Sequence, residues 1–178
     1  MALEKVILVD EQDNELGTME KIEAHRKALL HRAFSIFIFN DRGQMMLQQR
    51  ALSKYHSPGL WTNACCSHPR PGEDLMDATA RRIVEEMGFT CDLVEVFTFI
   101  YKAPFDHGLT EHEVDHVFLG HYNNEPSINP EEVAEWKWIE IPALLSDLRS
   151  DPDKYTVWFR IALDEMLKRG LILKRLET

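Results

Sequence analysis

The stretch Glu73-Asp74-Leu75-Met76-Asp77-Ala78-Thr79-Ala80-Arg81-Arg82-Ile83-Val84-Glu85-Glu86-Met87-Gly88 decides how the chain is read. Leu75, Ala78, Ile83 and Met87 recur at helical spacing, and Gly88 stands where a C-terminal cap belongs. Leu75–Met87 is therefore predicted to be a helix with one apolar face. Just before it, Leu52–Pro71 follows neither a helical nor a strand period, and Ser, Pro, Gly, Trp, Cys and His crowd together. A loop of that length inside a compact chain is usually functional or disordered, and the Trp, Cys and His content speaks for function.

Further outward, Ala33–Asn40 is almost wholly apolar and rich in Phe and Ile, as a strand buried on both faces would be. Asp41-Arg42-Gly43 reads as a turn and Met45–Arg50 as the hairpin partner. Val6–Val9 reads as a short strand before a polar turn at Asp10–Asn14. Asp92–Tyr101, Glu111–His121 and Glu135–Ile141 alternate like strands, and Thr156–Arg169 forms a second helix closed by Gly170. Strands before, between and after two helices suggest an α+β fold or an α/β/α sandwich.

The 178 residues fit one domain, and 44% hydrophobic content with only 8 Gly and 8 Pro predicts a folded chain. A net charge of −10 speaks against non-specific nucleic-acid binding, which needs a basic surface. An anionic small-molecule substrate would need a local cluster of cations set against that field. Cys65, Cys66 and Cys91 are an odd set with two neighbours, a poor disulfide framework, so a reducing compartment, the cytoplasm, is expected. The apolar run Val6–Val9 is too short for a signal peptide, and no segment approaches the roughly 18 apolar residues of a membrane span.

The residues that carry chemistry lie in several segments. On a strand, Glu111 and Glu113 share a face and His112 points away; two adjacent carboxylates repel unless a cation or a proton lies between them. A bare Glu-x-Glu is more often a solvated edge. Cys66 and His68 can be a metal-ligand pair, a thiol beside its base, or a packed loop, whereas Cys65 reads as a small buried side chain. His25 and His31 are separated by about 240° of helix, so a bend must lie between them if both meet one ion. Three His and two carboxylates suit a divalent transition metal. Lys21, Arg50 and Lys54, each alone a surface charge, could together hold a diphosphate.

Ser67, Glu73, Arg81, Arg82, Ile83, Glu85, Glu86 and Gly88 fall on the spacing G-x5-E-x7-R-E-U-x-E-E-x-G of the Nudix box. Ser67 replaces its leading Gly, and Arg82 replaces the first Glu of R-E-U-x-E-E. A cationic side chain cannot bind the magnesium that activates water, so the scaffold is supported and phosphate-chain hydrolysis is weakened.

With Leu30-His31-Arg32-Ala33-Phe34, Gln49-Arg50-Ala51-Leu52-Ser53-Lys54, Pro58–Pro69 and Glu111-His112-Glu113-Val114, the chain resembles the type I isopentenyl-diphosphate isomerases of the Nudix superfamily. The resemblance runs from about Val6 to the C-terminal helix, and Trp-Thr-Asn…Cys-x-His-Pro is its specific element. It implies a Nudix-type α/β/α sandwich with a mixed sheet, one domain over 1–178, interconverting isopentenyl and dimethylallyl diphosphate. By the same resemblance, Cys66 and Glu113 are the acid/base pair and Tyr101 stands beside the glutamate. His25, His31, His68, Glu111 and Glu113 bind one divalent metal (zinc, manganese or magnesium). Glu86 and the Cys66 carbonyl bind a magnesium ion that also touches the diphosphate. Lys21, Arg50 and Lys54 bind the diphosphate, Ser67 helps through its backbone, and Trp158 faces the hydrocarbon. Oligomeric state, monomer or dimer, is left open.

The implied reaction protonates an unactivated alkene and removes a proton from the neighbouring carbon, through a tertiary carbocation. It needs a donor and an acceptor on opposite sides of a flat five-carbon chain, exclusion of water, and an aromatic face worth about 2 kcal/mol. Trp61 is expected to pack in the core and Trp158 to face the cation. The competing readings are a Nudix hydrolase of nucleoside or prenyl diphosphates, and a metal-stabilised module without enzymatic activity.

Overall fold

A computed structural model describes residues 3–172; the first two and last six positions of the single domain expected over 1–178 lie outside the described residues. The organising element is β3 (His31–Phe39), whose alternation explains the layers. Phe34, Ile36 and Ile38 pack toward α2 (Leu75–Met87), with Met46, Ala78, Ile83 and Met87. Phe37 and Phe39 point the other way, toward α3 (Ile141–Ser150) and α4 (Val157–Lys168), with Leu144, Phe159 and Leu163. Each such fully buried side chain stabilises the fold by roughly 1.5–3 kcal/mol. Helices therefore cover both faces of one mixed sheet.

β8 (Thr110–His121) runs parallel to β3 over nine paired residues, and β7 (Leu93–Pro104) lies antiparallel on its other side. The remaining pairs are antiparallel: β1 (Lys5–Val9) with β2 (Glu15–Glu20), β4 (Met45–Arg50) with β5 (Trp61–Thr62) and β9 (Val133–Ile139), and β6 (Cys65–Ser67) with β3.

The helix predicted at Leu75–Met87 has those bounds. Asp74 caps its start by accepting from the Met76 amide at 2.9 Å, and Gly88, at φ 72°, donates to the Ile83 and Val84 carbonyls. The β3–β4 turn is tied by Asn40 Oδ1, which accepts from the Arg42 and Gln44 amides at 3.0 Å. Five elements differ from expectation, among them β5 and β6, short strands inside the stretch read as irregular. β2 is a polar, half-exposed edge without strong alternation. α1 (Lys21–Arg26) has only six residues, and its start is capped by the Glu20 carboxylate. Ile141, expected to end a strand, opens α3, because the proline that follows it suits the first turn of a helix.

Candidate active site

Three strands and two short connections bring the chemistry to one end of the sheet. Parallel pairing sets His31 opposite Glu113, and the antiparallel β7–β8 ladder sets Tyr101 opposite it on the other side. Glu111, Glu113 and Asp115 share one face of β8, while His112 turns away and meets the Ala28 carbonyl at 3.1 Å. α1 stops after Arg26, and Ala28 adopts a left-handed φ of 55°, so the chain bends and places the His25 and His31 rings 5.0 Å apart. His68 follows β6, its ring also 5.0 Å from that of His31.

The ligating atoms of His25, His31, His68 and Glu111 all lie within 4.8 Å of one another. Glu113 adjoins this group, with Oε2 2.7 Å from His68 Nε2 and 3.4 Å from His31 Nε2. His25 Nδ1 donates to the Lys21 carbonyl at 2.6 Å and His31 Nδ1 to the Leu29 carbonyl at 2.9 Å, which turns both Nε2 lone pairs inward. His25 Nε2 then faces Glu111 Oε1 at 2.7 Å, a juxtaposition that needs a proton or a cation. His31 Nε2 and Glu111 Oε2 are buried without a hydrogen-bond partner. Nitrogen and carboxylate donors, held from behind and left with inward-facing unsatisfied atoms, fit a divalent metal ion.

The electrostatics agree. Burial works against a charged His25 or His31, and the Glu111 and Glu113 carboxylates outweigh it, so both imidazoles hold protons more firmly than usual. Burial likewise opposes an ionised Glu111, but hydrogen bonds from His25 and His56 hold it well below the ordinary carboxylate range. For His56 and His68 burial prevails, and both are pushed down.

A cavity of about 100 Å³ opens beside this cluster, lined among others by Lys21, Arg50, Lys54, Cys66, Ser67, Tyr101, Glu113 and Trp158. Cys66 Sγ donates to Asn63 Oδ1 at 3.0 Å and accepts from Trp158 Nε1 at 3.0 Å. Burial pushes its thiol up to about 12, the Asp115 charge adds to this, and the Trp158 N–H opposes it. Tyr101 donates its hydroxyl to Glu113, and burial raises that phenol well above its usual range.

The cations come to the same cavity with carboxylate partners. Lys21 Nζ is 2.7 Å from Glu4, Lys54 pairs with Glu132, and the Arg50 guanidinium lies 5.1 Å from the centre of the Trp158 ring. Arg82 lines the cavity too, with Nη2 3.2 Å from Glu86 and 3.4 Å from Glu132. Glu86 is buried, accepts from the Cys65 thiol at 2.9 Å, and belongs to neither the cavity lining nor the His/Glu group. Trp61 packs against the α3–α4 core, with Lys137 over its ring at 4.3 Å.

Sequence reasoning missed four residues here. His56 Nε2 reaches Glu111 Oε1 at 2.7 Å, and Tyr55 lies beside it. Asn63 donates to the Ile36 and Cys65 carbonyls at 2.9 Å, which fixes its oxygen toward Cys66. Asp115 accepts from Ser35 at 2.8 Å, and burial raises its carboxyl well above the usual range. Asp115 had a signal, as the third member of the alternation begun by Glu111 and Glu113, and Asn63 stood in the Trp-Thr-Asn element without a role; His56 and Tyr55 had none.

The chain resembles known proteins over most of its length. The NUDIX domain family matches residues 29–159. The chain is 49% identical over 164 residues to isopentenyl-diphosphate Delta-isomerase 2 of Aromatoleum aromaticum, covering 92% of this chain and 87% of that protein. It is 51% identical over 157 residues to the protein of the same name from Photorhabdus laumondii, covering 88% and 89%. Among solved structures, a Deinococcus radiodurans protein superposes with a TM-score of 0.69 at 22% identity, covering 83% of this chain and 90% of that one. A MutT protein of Methanosarcina mazei gives 0.66 at 17%, covering 79% and 95%. Fold, cluster and relatives agree: the chain belongs to the Nudix superfamily and, within it, to the isopentenyl-diphosphate Delta-isomerases.

Proposed function

We propose that this chain, acting as a single cytoplasmic domain, interconverts isopentenyl diphosphate and dimethylallyl diphosphate, with Cys66 and Glu113 as the proton-transferring pair. The observation that supports this most directly is that a thiol and a carboxylate from distant segments line one small cavity with an aromatic wall and a set of cations. One of the two groups gives a proton to the terminal methylene carbon, leaving a tertiary cation. The other takes a proton from the carbon next to the diphosphate arm, so the double bond moves inward with no net change in protons. In the reverse reaction the roles exchange.

The other residues hold this step in place. Tyr101 steadies the Glu113 carboxylate through its hydroxyl. Asn63 and Trp158 fix the Cys66 sulfur from two directions. The Trp158 ring stands where a cationic centre would gain about 2 kcal/mol if desolvated. Lys21, Arg50 and Lys54, with the Ser67 backbone, receive the diphosphate, releasing Glu4 and Glu132 from the two lysines. His25, His31, His68, Glu111 and Glu113 would hold a zinc, manganese or magnesium ion, which would supply fixed positive charge that orients Glu113 and offsets the diphosphate; a second, magnesium ion on Glu86 and the Cys66 carbonyl would require Glu86 to exchange its Cys65 and Arg82 partners for the ion. Arg82, tied to Glu85, Glu86 and Glu132, brings a guanidinium where a hydrolase would need a metal-binding carboxylate.

Proton NMR of isopentenyl diphosphate with the pure protein and magnesium in deuterated water tests the reading. Deuterium should enter the methyl group as the olefinic signal moves inward; free inorganic phosphate with an unshifted double bond would instead mean hydrolysis. Cys66→Ala and Glu113→Gln should each lower kcat by at least about 10²–10⁴ with the fold retained. Cys65→Ser, which keeps a donor to Glu86, should be mild.

A further inference from the structure

His56 lies outside the group of four donors, yet it is buried and lines the cavity. Its ring is stacked on Phe105 at 4.6 Å and 10°, and edge-on to Trp158 at 5.6 Å, so its plane is fixed by residues from two other segments. Its carbonyl accepts from Arg50 Nη2 at 3.2 Å. Nδ1 is 3.1 Å from the Ser57 hydroxyl, which can donate, and this leaves the ring proton for Nε2. Nε2 points at Glu111 Oε1 at 2.7 Å. Glu111 thus has one oxygen engaged by His56 and His25, while its other oxygen, Oε2, is buried and unpartnered.

That division of labour between two carboxylate oxygens is what a metal ligand needs from its surroundings: one oxygen held, the other presented. The connection also runs in the other direction. His56 belongs to the short loop that carries Lys54 and is fastened to Arg50, so the hydrogen bond to Glu111 ties the segment with two of the cavity's cations to the His/Glu cluster.

We propose that His56 is a positioning residue, which donates Nε2–H to Glu111 Oε1, presents Oε2 to a divalent cation, and couples the Arg50–Lys54 loop to that cation's site. The proposal rests on the reading of the His/Glu group as a metal site. The test uses full-length, metal-stripped protein and Mn²⁺ alone, with free Mn²⁺ followed by electron paramagnetic resonance and the melting temperature recorded for each variant. His56→Phe keeps the stack on Phe105 and loses the donor; His56→Gln keeps an N–H at a similar reach. His56→Phe should bind Mn²⁺ about 10–100-fold more weakly than the parent, as loss of such a supporting hydrogen bond typically does, and His56→Gln should stay within about threefold of it. Binding by His56→Phe equal to the parent's overturns the positioning role. So does equal weakening in His56→Phe and His56→Gln, because the N–H that Gln retains would then restore nothing. A parent protein that binds no Mn²⁺ overturns the metal-site reading itself, and His56 with it.

Discussion

If burial holds the Cys66 thiol near 12, the sulfur should be almost inert to alkylation, and in a way that pH can diagnose. The perturbation is a Cys65→Ser/Cys91→Ser background that leaves Cys66 as the one thiol, stripped of metal so that no bound cation alters the local field. Only the thiolate attacks iodoacetamide. At pH 8 a thiol with the ordinary value of 9.0 is about one-tenth ionised, whereas one at about 12 is ionised to roughly one part in 10⁴. The rate should therefore be about a thousandfold below that of a free thiol, and lower still through restricted access. Access alone could mimic slowness, so the informative quantity is the slope. Between pH 7 and 10 the rate should climb about tenfold per pH unit without levelling, because the thiolate fraction is still rising throughout. Mass spectrometry of the modified protein after timed exposure measures it. A slope that starts to flatten near pH 9 would mean that the thiol titrates normally, and that burial and the Asp115 charge do not raise it.

Glu132→Gln removes the carboxylate that engages Lys54 and faces Arg82, so the diphosphate meets less competition; KM should fall about fivefold, roughly 1 kcal/mol, and an unchanged or higher KM in steady-state kinetics would contradict this. Gly88→Ala should destabilise the fold by at least about 2 kcal/mol in guanidinium unfolding, since φ is 72° and the new Cβ would run into the Ser127 carbonyl oxygen; a cost below about 0.5 kcal/mol would refute the capping account. Cation affinity should rise as pH climbs from 6 to 8, because His25 and His31 hold their protons above the ordinary 6.5 and must lose them to bind metal, whereas Glu111 is ionised throughout. A flat Mn²⁺ affinity across that range would show that the two imidazoles do not compete with the ion.

Much of the scaffold was legible because its strongest elements carry their own punctuation. Leu75–Met87 announces itself by period and by Gly88, and the all-apolar run in β3 reports that both faces of that strand are covered. β2 was illegible for the opposite reason: an edge strand with one partner and exposed sides imposes almost no pattern. α1 is too short for periodicity to register, and β5 and β6 are two- and three-residue strands inside a segment that looks irregular. At the site, the alternation of Glu111 and Glu113 gave their shared face. His56 could not be found this way, since its partner lies 55 residues on and nothing near it in the chain hints at the contact. Asn63 was visible as part of the Trp-Thr-Asn element, but its role was not, because that role lies in where its amide is pinned.

The parallel β3–β8 ladder has a consequence for how the protein comes to exist. His25 and Glu111 are 86 residues apart, and closing a loop of that size costs about 4 kcal/mol of chain entropy before any contact repays it. Parallel pairing over such a distance forms slowly and late. A slip of one residue along the ladder would turn Glu111, Glu113 and Asp115 outward and bring His112 and His116 in. The catalytic end therefore has no partial version: a nascent or misregistered chain lacks it, and Mn²⁺ uptake during refolding would time the moment at which the whole topology closes.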